Sequence, residues 1–401
     1  MTGRTYRMAA HGLELRDLQE SDAEASALLS RRSFGFSATP STEPARLVTG
    51  SDNHGAFLDG TFVGQVIDLN DRQWWGGRLL GAADIAGVAV APEARGRGVA
   101  RALMTRTLER ARERGAAVSA LFPSISSVYR TFGWASVGSV ETWEVPTLAL
   151  PRDPVPGHLE VRDGTAADLP AVHRLYTEVA RAGNGMLSRE ERRFQWDEFP
   201  SIADGLTIVL ADGVVVAYAR WTRGGRYGRG ADFVVHDVLA ATTEAARALG
   251  SVLSSWHTVI PMMRLRLVGG DAVTEVLPLE LGELHGSKAW MHRPVDVVEA
   301  VAGRGWPSGV RGRAVFELRD SMAPWNTGTW ELDVDGGAAQ LKRSSVDTSV
   351  RLTVGGFASL YCGRSSAAML RQAGHLSGPY DDAAALDVLG TSVPPRLLNT
   401  F

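Results

Sequence analysis

At 401 residues the chain is too long for one ordinary core and calls for two or three domains. Hydrophobic residues make up 44% and charged residues 22%, with a net charge of −3, a globular composition without the basic excess of a nucleic-acid binder or a like-charge tail. The single cysteine, Cys362, excludes a disulfide framework and no apolar run approaches the roughly 20 residues of a membrane span, so a cytoplasmic protein without a membrane span is expected.

Met1 to Gly12 is polar and basic with no apolar h-region, which argues against a secretory signal. Leu13-Glu14-Leu15-Arg16-Asp17 then alternates like a strand, and Ser21-Asp22-Ala23 opens an amphipathic helix with Asp22 as the expected N-cap. Trp74-Trp75 before Gly76-Gly77 reads as a hairpin tip or a subunit contact. The apolar run Val88-Ala89-Val90-Ala91-Pro92 meets an Arg/Gly loop, Arg95-Gly96-Arg97-Gly98-Val99-Ala100-Arg101, and a helix is predicted from Arg101 to Arg114. Gly96 and Gly98 can take backbone angles closed to other residues, so successive N–H groups can converge on one anion. The helix N-terminus adds orphan donors and partial positive charge, and Arg95, Arg97 and Arg101 can add charge-assisted bonds. The loop is not a Walker motif, since no Gly-Lys-Ser/Thr follows, and its glycine spacing is not that of a dinucleotide fingerprint. The competing reading is a basic surface turn.

A further strand, Val118 to Leu121, leads through Phe122-Pro123-Ser124 into Tyr129-Arg130-Thr131-Phe132-Gly133-Trp134. Three prolines in Pro151–Gly157 mark a linker, which closes a first domain at residues 1–150. Leu159-Glu160-Val161-Arg162-Asp163, followed by Ala167-Asp168-Leu169, repeats the opening strand, turn and helix 146 residues later without a gap, which indicates a duplicated domain over 151–290. In that copy the strand-to-helix connection, within Phe233 to Trp256, is His236 to Thr243. It holds neither Arg nor Gly, so the second domain is expected to share the fold but not the anion cradle. From 291 to 401 a helix at Asp296–Arg304, strands at Arg313–Leu318 and Thr329–Val334, a turn at Asp335-Gly336-Gly337, a strand at Val350–Val354, helices at Gly356–Tyr361 and Ser365–Ala373, and a polar tail from Val393 to Phe401 describe a small α+β domain.

The spacing Arg-Gly-x-Gly-x-Ala after Val-x-Val-x-Pro resembles the pyrophosphate loop of the GCN5-related N-acetyltransferases (GNATs), which holds coenzyme A. The last segment, with Ser359-Leu360-Tyr361-Cys362-Gly363, resembles the sterol-carrier-protein fold. Together the order of parts resembles the Eis (enhanced intracellular survival) acetyltransferases across nearly all of the chain. The fold class expected is therefore α/β and α+β multidomain: two tandem GNAT-like mixed-sheet domains, then a sterol-carrier-protein-like domain that supplies the C-terminus.

Acetyl transfer needs a polarised thioester carbonyl, a neutral amine, a base and an acid for the leaving thiolate. Backbone N–H groups of the strand Gly87 to Ala91 suit the first task, with Val88 and Val90 as candidates and Ala89 between them; all three also read as core residues. The resemblance implies acetyl-CoA as co-substrate, held by Val88–Val90, Arg95–Arg101 and Ser124, and implies that Tyr129 protonates the thiolate; the competing reading of Tyr129 is a packed core residue. It also implies that the carboxylate of the C-terminal residue, Phe401, is the general base. Asp84 is the alternative, although such a strand-end carboxylate is more often merely solvated. Phe34, Phe36 and Trp196-Asp197-Glu198 are candidates to line a pocket for a polycationic acceptor such as an aminoglycoside, and Phe34 and Trp196 also read as core. Thr400 is neutral where family members can carry an acid. The family's hexamers imply a homo-oligomer. His54, His236 and His257 are scattered, and no spacing supports a metal site. Protein-lysine or small-metabolite acetylation, and a lipid or sterol carrier, are the alternative functions.

Overall fold

The computed structural model describes residues 6–7, 12–35, 45–190, 204–226, 228 and 230–401. The first unit runs β1 (Tyr6–Arg7), β2 (Leu13–Asp17), α1 (Ala23–Phe34), β3 (Asp52–Leu58), β4 (Thr61–Asp68), β5 (Asp71–Trp75), β6 (Arg78–Val90), α2 (Val99–Glu113), β7 (Val118–Leu121), α3 (Ser126–Thr131) and β8 (Ala135–Pro146). The second runs β9 (Leu159–Asp163), α4 (Leu169–Arg181), β10 (Asn184–Leu187), β11 (Gly205–Ala211), β12 (Val214–Arg223), β13 (Phe233–Ala240), α5 (Thr243–Ser254), β14 (Met262–Leu267) and β15 (Glu283–Pro294).

The repeat read from sequence extends to atoms. Arg16 grips Asp22 with two hydrogen bonds of 2.7 and 2.9 Å, and Arg162 grips Asp168 with two of the same lengths, 146 residues on. Asp22 and Asp168 stand at the expected N-cap positions of α1 and α4, but without a side-chain bond to those helices. Asp22 and Asp168 already have helical backbone angles, and each carboxylate turns back to accept the N–H of Gln19 or Thr165, closing a one-turn 3-10 helix ahead of α1 or α4. Its pull toward the arginine on the preceding strand wins over the following helix, and that ion pair holds both carboxyls below the ordinary aspartate range.

The two units share one sheet, in the order β1-β2-β3-β4-β6-β7-β15-β8-β14-β13-β12-β11-β9. Its centre is a strand exchange. β15, from the end of the second unit, pairs with β7 of the first, while β8 of the first pairs with β14 of the second, and β8 and β15 pair with each other. The boundary drawn at residue 290 therefore falls inside β15, and the chain leaves the shared sheet only after Pro294. The linker prolines mark the one junction that lies outside this exchange; nothing in the composition marks the other. β5 and β6 form a hairpin closed by Gly76-Gly77, as the sequence suggested, but Trp75 beside the turn is wholly buried and no surface contact.

The third unit runs α6 (Val297–Gly303), β16 (Arg311–Arg319), β17 (Gly328–Asp335), β18 (Ala338–Arg343), β19 (Arg351–Thr353), α7 (Val354–Tyr361), α8 (Ala367–Gln372), β20 (Leu376–Ser377) and α9 (Tyr380–Ala384). Its sheet is ordered β18-β17-β16-β19-β20. All eight residues of α7 are buried, because the helix lies between β15 and β8 on one side and β19 on the other. One core thus runs from Trp75, Val118 and Trp290 through Phe357 and Tyr361 to Phe316 and Leu332. The tail is not the polar extension expected: Leu397 and Leu398 are each 1% exposed, in two different cores. No helix among the described residues is long and apolar enough to cross a membrane.

Candidate active site

β6 and β7 pair in parallel only from Ala82–Val118 to Ile85–Leu121. Beyond that point β6 continues to Val90 while the chain after Leu121 turns through Phe122-Pro123-Ser124 into α3, so a gap opens between them. On its other edge β6 carries one extra residue against β4: Ile67 faces Ala86, but Gln65 faces Ala89. The bulge sits at Gly87, whose φ of +59° is a glycine conformation and where a Cβ would come 2.9 Å from Ile67 Cδ1. The Ala91 N–H donates to Val63 O on β4 at 2.8 Å. Strand alternation then turns the Val88 and Val90 N–H groups the other way, into the gap. These two donors, with apolar side chains packed on the first unit's core, can polarise a carbonyl away from bulk water.

The Arg/Gly loop stands at the same end of β6. The helix begins at Val99, two residues before the predicted start, because the buried Val99 side chain anchors its first turn. The first helical bond to the loop is Ala102 N–H to Gly98 O at 3.0 Å, which leaves the N–H groups of Val99, Ala100 and Arg101 without an i−4 partner. Gly96 and Gly98 have φ of +75° and +80°, and a Cβ on either would meet nothing within 4 Å. Backbone angle, not crowding, thus demands glycine here, and the space over the loop is open. Arg95 and Arg97 are exposed. Arg101 is turned elsewhere: its guanidinium lies 2.9 Å from Met322 Sδ and over the Phe132 ring, toward the third unit. Open space, orphan N–H groups and two exposed arginines fit the pyrophosphate of coenzyme A.

Tyr129 lies on α3 with its ring edge-on to Phe132, centroids 6.4 Å apart, and its carbonyl accepts the N–H groups of Phe132 and Trp134. Half-burial raises its phenol above the ordinary tyrosine range. The turn that carries it is braced from behind. Buried Arg293 on the exchanged strand β15 donates to Phe132 O at 2.6 Å, lies over Trp134, and pairs with Asp320 of the third unit. Ser124 is exposed in the turn between β7 and α3. Phe401 reaches the same turn, its ring edge-on to Phe122 at 5.0 Å. Both the candidate acid and the C-terminal residue therefore border the segment that swings away from the gap.

Asp84 differs from the solvated strand end expected: it is fully buried, and its Oδ1 accepts Gln73 Nε2 at 3.1 Å. Of the candidate acceptor-side residues, Phe34 is 38% exposed at the end of α1, while Phe36 and Trp196-Asp197-Glu198 lie outside the described residues. Sequence reasoning missed the brace Arg293–Asp320. The available signal was an arginine inside an apolar stretch, Trp290-Met291-His292-Arg293-Pro294-Val295.

Residues 14–137 match the family model of the acetyltransferase (GNAT) domain, and residues 297–397 that of the sterol carrier protein domain. An uncharacterized N-acetyltransferase of Streptomyces coelicolor is 28% identical over 351 residues, covering 81% of this chain and 82% of that one. Among solved structures, a GCN5-related N-acetyltransferase from Anabaena variabilis superposes with a TM-score of 0.86 at 22% identity over 97% of this chain and all of that one. Eis1 from Mycobacterium abscessus superposes with a TM-score of 0.75 at 22% identity, over 96% of this chain and all of that one. With the bulged strand, the Arg/Gly loop and the strand-exchanged second copy, these likenesses give the chain a GNAT acetyltransferase domain and a sterol carrier protein domain, in a fold shared with Eis1: two GNAT-like mixed-sheet units followed by a sterol-carrier-type domain.

Proposed function

We propose that the protein transfers acetyl groups from acetyl-CoA directly to primary amines of aminoglycosides or related polyamines, in the first unit alone. The observation that carries this reading is the gap between β6 and β7, with the Val88 and Val90 N–H groups facing it, the open Arg/Gly loop at its head, and Tyr129 and Phe401 at its rim. The loop residues Arg95 to Ala100 hold the pyrophosphate, with Arg101 contributing through its backbone N–H, and Ser124 holds the pantetheine arm. The acetyl carbonyl accepts from Val88 and Val90. The amine nitrogen attacks the carbonyl carbon, and the oxyanion formed stays on those two donors. When the carbon–sulfur bond breaks, the thiolate takes its proton from Tyr129.

The Phe401 carboxylate orients the incoming ammonium and relays its proton. A free α-carboxyl has a pKa of about 3.3–3.7, far below an alkylammonium. The transfer therefore runs through water, toward an amine whose own pKa is depressed beside other cationic groups. The aminoglycoside assignment is supported by the resemblance in domain plan and by Phe34 at the end of α1.

The test is acetyl-CoA consumption against a panel of aminoglycosides, polyamines and lysine peptides. Rates that rise with aminoglycosides are expected. Flat rates across them, with turnover of peptides, move the substrate to protein lysine. The loop has its own test. A β-branched side chain at Gly98 makes the left-handed angle cost about 1–2 kcal/mol. Gly98→Val is accordingly expected to raise KM for acetyl-CoA about tenfold, with kcat at saturation little changed.

A further inference from the structure

The second unit repeats the bulge of the first. Arg220 faces Asp237 but Trp221 faces Val235, so β13, like β6, carries one extra residue, His236, next to Asp237; the matching bonds Ala91 N–H to Val63 O and Ala241 N–H to Val216 O set Gly87 against Asp237. Beside the gap the first unit has Gly87; at the matching place the second has Asp237, 1% exposed. Its two oxygens accept the Tyr218 hydroxyl at 2.8 Å and Arg189 Nη1 at 2.5 Å. The Arg189 guanidinium lies over the Tyr176 ring at 3.6 Å, and its Nη2 donates to Asn399 Oδ1 at 3.2 Å. The Tyr176 hydroxyl approaches the same oxygen at 3.3 Å.

The rest of the C-terminal segment is laid across this unit. Asn184 Nδ2 donates to Val393 O at 2.5 Å, Arg396 N–H returns a bond to Asn184 O at 2.8 Å, and the Arg396 side chain donates to Gly270 O at 2.9 Å. Leu398 is buried among Val172, Leu175 and Leu239. At its end the segment meets the first unit, where the Phe401 ring packs on Phe122. Removing a guanidinium and a carboxylate from water costs several kcal/mol, and an apolar filling serves stability as well. What the pair adds is direction, since the Arg189 fork is planar and aims one nitrogen at the Asn399 amide.

We propose that Arg189, held by Asp237 and Tyr176, is a positioning residue for the reaction in the first unit: it fixes Asn399 and so places the Phe401 carboxylate two residues further on. The inference rests on that carboxylate acting as the base. The second unit has lost the anion cradle and uses the vacated strand bulge to hold the base of its neighbour.

Two variants test it. Asn399→Ala removes the amide alone, and Arg189→Met with Asp237→Leu removes both charges so that neither stays buried without its partner. Each is expected to lower kcat about ten- to a hundredfold through misplacement of the reacting group, while KM for acetyl-CoA stays within about twofold. All three substitutions together are expected to be no worse than either variant, because both act through one amide. Wild-type kcat in Asn399→Ala, or losses that multiply, overturns the proposal; if the charge-free variant does not fold, Asn399→Ala decides alone. A chain extended beyond Phe401 separates the two readings. If the extension leaves kcat unchanged, the carboxylate is not the base and both fall. If it abolishes turnover while Asn399→Ala does not, only the positioning role falls.

Discussion

Tyr129→Phe is expected to lower kcat by about 10²- to 10⁴-fold, the usual contribution of a positioned acid. KM for acetyl-CoA is expected to change little, because the phenylalanine ring keeps the edge-on contact with Phe132 and the backbone bonds that shape the turn. The loss falls on one step, departure of the thiolate. A thiol titrates near 8.5 and a phenol near 10, so the transfer is modestly uphill in water. Burial of Tyr129 raises its phenol further and keeps it protonated through neutral pH. The neutral phenol is the proposed acid, so the alkaline limb of the wild-type kcat profile is expected above the ordinary tyrosine range and is expected to disappear in the phenylalanine variant. Thiol release followed from pH 6 to 11 measures both. A phenylalanine variant with wild-type kcat removes Tyr129 from the chemistry and leaves it a packing residue.

Adding a few residues after Phe401 is expected to reduce kcat by about 10²-fold or more, while acetyl-CoA binding, measured by titration, persists. The extension moves the charge rather than deleting it: the carboxylate becomes a peptide carbonyl and the new terminus lies beyond the gap. Because the Phe401 ring packs on Phe122 beside the end of β7, the chain cannot retreat without giving up that contact. Substrates whose amines carry lower pKa values are expected to lose less, since less of their proton has to be relayed. Equal kcat in the extended and native chains refutes the role.

Local structure was legible in the sequence and long-range contacts were not. The Arg/Gly loop, the Tyr129 segment and the 146-residue repeat each lie within a few consecutive residues, where backbone angle and alternation leave a direct trace. Asp22 was placed correctly but given the wrong partner, because its competition between helix and Arg16 is decided by a strand pairing. Trp75 beside two glycines looked like a surface turn; what buries it is α7, nearly three hundred residues later. The same limit hid the contact of Arg189 with Asn399 and the burial of Leu397 and Leu398. The strand exchange defeated the boundary at 290 most plainly, since β15 has the pattern of an ordinary strand and only its neighbours reveal which unit it completes.

That exchange dictates an order of events at the ribosome. The first unit emerges with β7 lacking a neighbour, and its edge stays open until Pro294 has been synthesised. β7 therefore gains its second neighbour only after the second unit has been made. A nascent or truncated chain ending anywhere before β15 exposes an unpaired strand, the feature that invites aggregation. The shared sheet of this architecture is thus a property of both units together, closed only when β15 has been made.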